Sequence, residues 1–231
     1  TGQHSSAALF LNASFRLDPF VAQSEVRAVE VPTLQALFRE MALEQRVADF
    51  QPGMFVKSFL PHFAPEHERE ASQVTFFARR TQAVLGIALD PASLSRLSPD
   101  LRIALERLPE RFDPSETEVW RGFFSRFCTH WVDEAVVGGR LQVSGRLFDA
   151  SVSPKEVRDA LEEHLLLVSS SDGARERLAA LSGKFVSRLN AEGGAELNIV
   201  SVDALSKAAF EHWSQKIEQH PAVVRYSLRH I

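Results

Sequence analysis

The sequence predicts an α+β fold, and three stretches support the prediction. Apolar and polar residues alternate over 7–17 and again over 140–148, as expected of strands with one buried face. Residues 72–89 are rich in β-branched and aromatic side chains between Pro65 and Pro91, which predicts a longer third strand. Helix-start signals separate these stretches, so strands and helices are interspersed along one chain.

Proline residues mark where most of the predicted helices begin. A capping side chain precedes proline at four places: Asp90-Pro91, Ser98-Pro99, Asp113-Pro114 and Ser153-Pro154. The last two also have a glutamate three residues after the cap, Glu116 and Glu156, which completes a capping box. Apolar residues at helical spacing extend the assignment to four longer helices: 32–47, 154–168, 174–190 and 207–217.

The C-terminal part of the chain adds two predicted strands. They cover 196–202 (ELNIVSV) and 222–231 (AVVRYSLRHI), and the turn 169–173 joins two of the helices. No internal repeat, low-complexity tract or linker interrupts this pattern. We therefore expect a single domain over residues 1–231, with a missing N-terminal part as an open alternative.

Composition and charge narrow the class of partner. The chain has 231 residues, of which 45% are hydrophobic and 24% charged, as in ordinary globular proteins. A formal net charge of -4 and a pI near 6.1 disfavour nucleic acid, because binding it requires a clustered basic surface. No stretch approaches the roughly 18 consecutive apolar residues of a membrane-spanning helix, and TGQHSSAALF lacks the pattern of a signal peptide.

Cysteine and histidine do not form a pattern typical of a metal site or of a nucleophile. Cys128 is the single cysteine, which excludes an intrachain disulfide and a multi-cysteine zinc site. Three of the eight histidines, His62, His67 and His130, lack paired-ligand spacing, so surface or packed histidines are the favoured interpretation. A Cys128–His130 pair lacks an evident orienting carboxylate and oxyanion donor. We expect no metal, no cofactor and no enzymatic activity.

Two glycine pairs, Gly138-Gly139 and Gly193-Gly194, have no phosphate-loop spacing. The first pair lies between two apolar segments, where the chain would otherwise continue as one strand. Glycine at this point supplies torsional freedom, which predicts a bend, a bulge or a hinge.

The stretch FCTHWVDEAVVGG, which contains the first pair, resembles the signature of the membrane attack complex/perforin (MACPF) family. That signature is an aromatic residue, then Gly-Thr-His, a second aromatic, about six residues and Gly-Gly. The matching positions are Phe127, Thr129, His130, Trp131, Gly138 and Gly139. Cys128 stands where the family pattern has glycine.

Flanking segments are similar to the family in the same order. Upstream, Leu108-Pro109 and Phe112 end a helix-like segment; downstream, Gly193-Gly194 precedes a helix with Trp213 and a strand after Pro221. The resemblance covers about 73–231, whereas 1–72 carries no matching motif.

The resemblance implies a bent, twisted, four-stranded antiparallel sheet flanked by two helical clusters. In the family, copies oligomerise on a membrane in a ring or arc, and the clusters unfurl into transmembrane β-hairpins that form a barrel. It therefore implies a secreted, pore-forming protein whose partners are a membrane lipid or receptor and further copies of itself. Gly138 and Gly139 would be the hinge of the sheet.

The resemblance assigns the hairpins to 154–192 and to a region within 20–70. In the ascending arm, one face would meet lipid: Ala179, Leu181, Gly183, Phe185 and Leu189. In the descending arm, Asp159 and Glu163 share a face with apolar residues, and a carboxylate facing lipid is costly. A nonlytic interaction or adhesion protein on the same scaffold, and an ordinary helical hairpin, therefore remain open alternatives.

Overall fold

A computed structural model describes residues 13–31, 36, 74–168, 173–181 and 183–230. These residues form one antiparallel sheet, with helices in the connections between its strands. The strands are β1 (Phe15–Glu30), β2 (Val74–Leu89), β3 (His130–Leu147), β4 (Phe185–Glu192) and β5 (Ala222–His230).

The sheet is four strands wide, although five strands are described. Its order is β1-β2-β3-β4, and β5 pairs with β3 on the same side as β4. β4 pairs with residues 140–147 of β3, and β5 pairs with residues 130–138. The fourth position is therefore filled by two segments end to end, and the predicted fold class is confirmed.

The described helices lie in the connections between strands. They are α1 (Pro99–Glu106), α2 (Thr117–Phe127), α3 (Pro154–Leu167), α4 (Gly173–Ala180) and α5 (Lys207–Ser214). Shorter 3-10 turns occupy Pro91–Ser95, Pro114–Glu116 and Val202–Ala204.

The helix-start signals are confirmed in position, although the cap chemistry differs among them. Ser98 Oγ accepts a hydrogen bond from the amide of Leu101 at 3.2 Å, which satisfies an otherwise unpaired amide of the first turn. Asp113 instead caps a 3-10 turn, so α2 begins only at Thr117. Ser153 makes no side-chain cap bond to α3, so the capping box predicted there is not formed.

The main core lies between one face of the sheet and the helices α3, α4 and α5. The sheet contributes the buried side chains of Phe76, Leu141 and Val143, and α3 packs Leu161 and Leu165 against them. Burying a side chain of this size stabilises the fold by roughly 1.5–3 kcal/mol. The apolar stripe of α3 therefore holds the helical cluster on the sheet.

Three strands change register at the same level of the sheet. The pairing shifts in β2 between Ala83 and Leu85, and in β1 between Pro19 and Gln23. It shifts in the β3–β5 ladder next to Val136 as well. Bulges bend a strand and increase its twist, so the sheet is distorted at this level. The β3–β5 ladder shifts a second time, between Val132 and Glu134.

Strands predicted in the second half of the chain agree with the structure to different degrees. The predicted strand 72–89 corresponds to β2, and 222–231 corresponds to β5, so both are confirmed. The predicted strand 140–148 is the C-terminal half of β3, which runs on through the glycine pair to His130.

In the N-terminal region the predictions overlap little with the described residues. The predicted strand 7–17 overlaps β1 only from Phe15 to Leu17. Strand β1 itself continues to Glu30 and pairs with β2. Residues 7–12, and all of the predicted helix 32–47 except residue 36, lie outside the described residues.

The helix predicted over 174–190 is wrong in its second half. Helix α4 ends at Ala180, Gly183 adopts a φ of +83°, and the chain enters β4 at Phe185. A left-handed glycine ends a helix readily. Phe185 and Leu189 are then buried on one face of the sheet, because residues an even number of positions apart in a strand lie on the same side.

The strand predicted over 196–202 is also wrong. This segment runs along the outer edge of β4 but makes no continuous ladder, and it ends in the 3-10 turn Val202–Ala204. Its alternation reflects partial packing of Leu197 and Ile199 against the core. Helix α5 ends at Ser214, three residues before the predicted end.

Candidate functional site at the bend of the sheet

The two glycine pairs lie together in the folded chain. Gly138 and Gly139 stand in β3 where its partner changes from β5 to β4. Gly193 and Gly194 follow directly after β4, where the chain leaves the sheet for an excursion over 193–221. We call these four residues the glycine junction.

Close backbone approach explains why two of these positions hold glycine. A Cβ atom at Gly138 would overlap the carbonyl oxygen of Gln82 on β2. A Cβ atom at Gly193 would overlap the carbonyl oxygen of Gly138 and lie 3.0 Å from the amide nitrogen of Ala222. Gly193 also has a φ of +68°, which disfavours any other residue. Backbone from β2, β3, β4 and β5 therefore meets here without side chains between.

The excursion 193–221 packs onto the junction through one tryptophan. A Cβ atom at Gly139 would lie 2.5 Å from Ile217 Cδ1 and 2.8 Å from the Trp213 ring. Trp213 is completely buried, and its indole N–H donates to the carbonyl oxygen of Gly193 at 2.7 Å. Gly194 donates its amide to the carbonyl oxygen of His220 at 2.8 Å, which closes the base of the excursion.

Arg140 follows the junction in β3 and contacts both halves of the fourth sheet position. Its Nη2 donates to Glu192 Oε2 at 2.6 Å, at the end of β4. Its Nη1 donates to the carbonyl oxygen of Val224 in β5 at 3.2 Å. Burial raises the pKa of Tyr226, and the nearby Arg140 charge opposes this rise. Arg140 therefore connects β4 and β5 across the gap between them.

The other half of the sequence signature lies at the far end of β3. Phe127 ends α2 and is buried with Phe123 and Leu101. Thr129 and His130 are joined by a hydrogen bond of 2.8 Å between Oγ1 and Nδ1, and Trp131, the second residue of β3, is half-buried. At about 3.3 Å per residue, Trp131 and Gly138 are roughly 20–25 Å apart. The signature therefore marks two separate places on one strand.

Cys128 occupies a backbone conformation that is unusual for a side-chain-bearing residue. Its φ is +65° and its ψ is -178°, a region that is essentially restricted to glycine. Among the described residues it is the one non-glycine position with positive φ. The backbone torsion angles at this position, rather than close approach of another backbone segment, thus explain why the family pattern has glycine here.

The helices α3 and α4 connect β3 to β4. The last paired residues of that ladder are Leu147 and Phe185, and the amide of Phe148 still donates to the carbonyl oxygen of Lys184 at 3.2 Å. Arg158 of α3 lies 3.8 Å from the carboxylate of Glu30 on β1. The cluster is therefore attached to the sheet at both of its ends and along its side.

The predicted lipid-facing residues belong to three different local structures. Ala179 is exposed on α4, Leu181 is buried just after it, and Gly183 lies in the turn. Phe185 and Leu189 already belong to β4 and face the core. The structure thus places the first three in the connection between β3 and β4, and the last two within β4.

The outer edge of β4 is partly covered by the segment that follows it. Leu189 donates its amide to the carbonyl oxygen of Val200 at 2.7 Å, and Val202 donates its amide to Ser187 Oγ at 3.2 Å. This cover was not anticipated from the sequence. Neither was the burial of Arg140 or Arg80, since a charged residue in an alternating stretch is ordinarily assigned to the exposed face.

The part of the chain that the structure describes lacks two other kinds of site. It contains no group of three His, Cys, Asp or Glu side chains placed to hold a metal ion. None of its helices is long and apolar enough to cross a bilayer.

The chain was compared with known proteins by sequence and by structure. The MAC/Perforin domain family model matches residues 48–231. GNIP1Aa from Chromobacterium piscinae has a similar fold, with a TM-score of 0.71 and 18% identity over 94% of this chain and 43% of that chain. A putative cell invasion protein with a MAC/Perforin domain, from Bacteroides thetaiotaomicron VPI-5482, has a TM-score of 0.52 and 10% identity over 92% and 46%.

This chain therefore spans less than half the length of either solved structure. The comparison with curated proteins gave no match. Because the family model covers most of the chain and the bent sheet agrees with solved structures of similar fold, this chain belongs to the MAC/Perforin domain family.

Proposed function

We propose that this protein is a secreted pore former that binds a membrane lipid or receptor, assembles with further copies of itself, and inserts β-hairpins. The supporting observation is the position of α3 and α4. They lie between two neighbouring antiparallel strands whose ladder stops at Leu147 and Phe185. Extension of that ladder would convert the helices into a hairpin without changing any existing strand pair. We propose no catalytic role.

The length of the connecting segment suits a transmembrane hairpin. A membrane-spanning strand needs about 9–11 residues. The segment 148–184 would supply two arms that each exceed this length. In a bilayer every backbone amide and carbonyl must be paired, so the hairpins of neighbouring copies would have to join edge to edge.

Assembly would use the two outer edges of the sheet. Among the described residues, β1 has a strand partner on one side only, β2. The opposite edge is formed by β4 and β5, and in β4 the Leu189 amide and Ser187 Oγ are occupied by the segment ending at Val202. We propose that displacement of this segment exposes β4 to β1 of a second copy, which gives a ring or arc.

A second candidate is a nonlytic interaction or adhesion protein on the same scaffold, and the register of β3 and β4 favours it. If their ladder simply continued, Leu181 would stand beside Ser151 and Ala179 beside Ser153. The predicted lipid-facing side chains would then share a face with hydroxyl groups. Asp159 would lie on that face too, at a cost that rises toward the bilayer midplane.

Dye release from liposomes, with negative-stain imaging of the same samples, separates the two candidates. A locked form makes the test specific. In a Cys128→Ser background, Glu30→Cys and Arg158→Cys place thiols on β1 and α3, where a reducible bis-maleimide can join them. We expect dye release and rings or arcs from the unlocked protein, and assemblies without release from the locked one until reductant is added.

The control is the Arg158→Cys single variant treated with the same reagent, which should behave as the unlocked protein does. Full release by the crosslinked protein would remove α3 from the mechanism. Absence of both release and assemblies across liposomes of several compositions would contradict the pore-forming proposal and favour the nonlytic scaffold.

A further inference from the structure

Arg80 is a charged residue within the main core. It lies in β2, on the same face of the sheet as Phe76 and Ala78, and that face packs against the helices. Only 8% of its surface is exposed. A guanidinium group in such a position needs several hydrogen-bond partners to offset its desolvation.

The partners of Arg80 come from three different elements. Its Nη1 donates to the carbonyl oxygens of Leu165 at 2.6 Å and Leu166 at 3.3 Å, in the last turn of α3. Its Nε donates to Ser24 Oγ on β1 at 3.0 Å. The guanidinium carbon lies 4.3 Å from the centre of the Phe210 ring in α5. One side chain therefore joins β1, β2, α3 and α5.

The contact with α3 is electrostatically favourable. The last carbonyls of a helix have no partner within it and form the negative end of the helix dipole. A buried cation that donates to them satisfies these acceptors and is itself compensated. Burial lowers the pKa of Arg80, in agreement with strong desolvation, but an arginine side chain remains protonated in proteins.

We propose that Arg80 is a latch that holds α3 on the sheet and sets the rate at which the helical cluster leaves it. The inference rests on the proposed pore-forming function. Unfurling of α3 removes the Leu165 and Leu166 acceptors from the guanidinium in one step, while Ser24 and Phe210 remain on other elements. The cation then loses its main partners before solvent reaches it, so the last turn of α3 is the costly part to release.

Hydrogen exchange of the soluble full chain measures the latch directly. Arg80→Met keeps an apolar stem but removes the charge and the donors; Arg80→Lys keeps a charge but loses the planar fork. We expect amide exchange in α3 to rise at least about tenfold in Arg80→Met and by a smaller factor in Arg80→Lys. The β2–β3 ladder should exchange at the parental rate.

Arg79→Met is the matched control. Arg79 is the adjacent residue of β2, is buried to a similar degree at 6% exposure, and points to the opposite face of the sheet. We expect α3 exchange in this variant to equal that of the parent. Equal acceleration in Arg79→Met and Arg80→Met, or acceleration spread evenly over the whole chain, would overturn the latch. If Arg80→Met does not fold, Arg80→Lys decides: parental α3 exchange in it would overturn the proposal.

Dye release by the same preparations distinguishes failure of the Arg80 proposal from failure of the proposed pore-forming function. If the parent releases dye, we expect a shorter lag before release in Arg80→Met. An unchanged lag would show that Arg80 does not set the rate of release. If the parent gives neither dye release nor assemblies with any liposome, the pore-forming proposal fails. The exchange data then decide alone whether Arg80 holds α3.

Discussion

The indole N–H of Trp213 donates to the carbonyl oxygen of Gly193 at 2.7 Å. This bond joins helix α5, within the 193–221 excursion, to the first residue of the excursion, beside the point where β3 exchanges one partner strand for another. The excursion is therefore fixed to the bend of the sheet by a part-buried hydrogen bond as well as by packing.

Trp213→Phe should destabilise the protein because it leaves the part-buried carbonyl of Gly193 without its donor. The expected loss is about 1–3 kcal/mol in the free energy of unfolding, measured by urea denaturation. Trp120→Phe is the matched control, because the buried Trp120 N–H has no hydrogen-bond partner in the described part of the chain. Its loss should stay below about 1 kcal/mol; equal losses in both variants would contradict the role of the bond.

Cys128→Gly should stabilise the protein. Holding a side chain in this backbone region costs about 1–3 kcal/mol, and the extra freedom of glycine in the unfolded chain offsets about 0.5–1 kcal/mol of that gain. We expect a net gain near 1 kcal/mol in chemical denaturation. Cys128→Ala keeps the unfavourable torsion angles and should show no such gain. A loss of stability in Cys128→Gly would mean that the thiol makes a larger contribution than its exposure indicates.

Gly138→Ala should be strongly destabilising, since its methyl group would overlap the backbone carbonyl of Gln82. Backbone must move to admit it, at an expected cost of about 1–3 kcal/mol or more. Gly122→Ala is the control: this glycine lies within α2 with open space around it, and alanine there should gain about 0.5–1 kcal/mol through helix propensity. Thermal unfolding should show a lower melting temperature for Gly138→Ala and a higher one for Gly122→Ala. An unchanged melting temperature in Gly138→Ala would show that β2 and β3 separate easily.

Acid should remove the contribution of Asp159 to stability. Lys155 donates to its carboxylate at 2.5 Å and Arg158 donates at 3.0 Å, and these hydrogen bonds hold the pKa of Asp159 below its ordinary value of 3.8. The folded state thus binds this proton more weakly than the unfolded state does. The stabilisation is fully present above about pH 3.8 and is lost as the pH falls through the lower folded value.

The variant Asp159→Asn should accordingly be less stable than the parent at pH 7, and the difference should shrink as the pH falls below 3.8, by chemical denaturation at each pH. Because the carboxylate is exposed, 1 M salt should reduce the difference at pH 7. A stability difference that persists unchanged at pH 2 would show that the aspartate acts through something other than its charge.

Residues whose local pattern agrees with their tertiary surroundings could be predicted from the sequence. The β-rich run of β2 is paired on both sides, and the proline-marked start of α3 at Pro154 is found where the sequence places it. The signature glycines were recognised by spacing, but the meeting of Gly138 with Gly193 could not be, because it depends on two strands sharing one side of β3.

Where the sequence misled, a tertiary contact outweighed the local pattern. Phe185 and Leu189 have helical spacing, four residues apart, yet they lie two strand repeats apart on one face of β4. Gly183, with positive φ, separates that strand from α4. The burial of Arg80 could not be predicted from neighbouring residues either, because its partners lie far away in the sequence, on β1, α3 and α5.

The division of the fourth sheet position between β4 and β5 determines the order in which the sheet can be completed during synthesis. The half of β3 from His130 to Gly138 has its second partner only in β5, which is translated after β4 and the whole 193–221 excursion. Until then, a nascent chain on the ribosome carries an open edge on β3. Such an edge can pair with other chains, and long-range pairing closes slowly. Translation of residues 222–230 is thus the step that allows this edge of β3 to be closed.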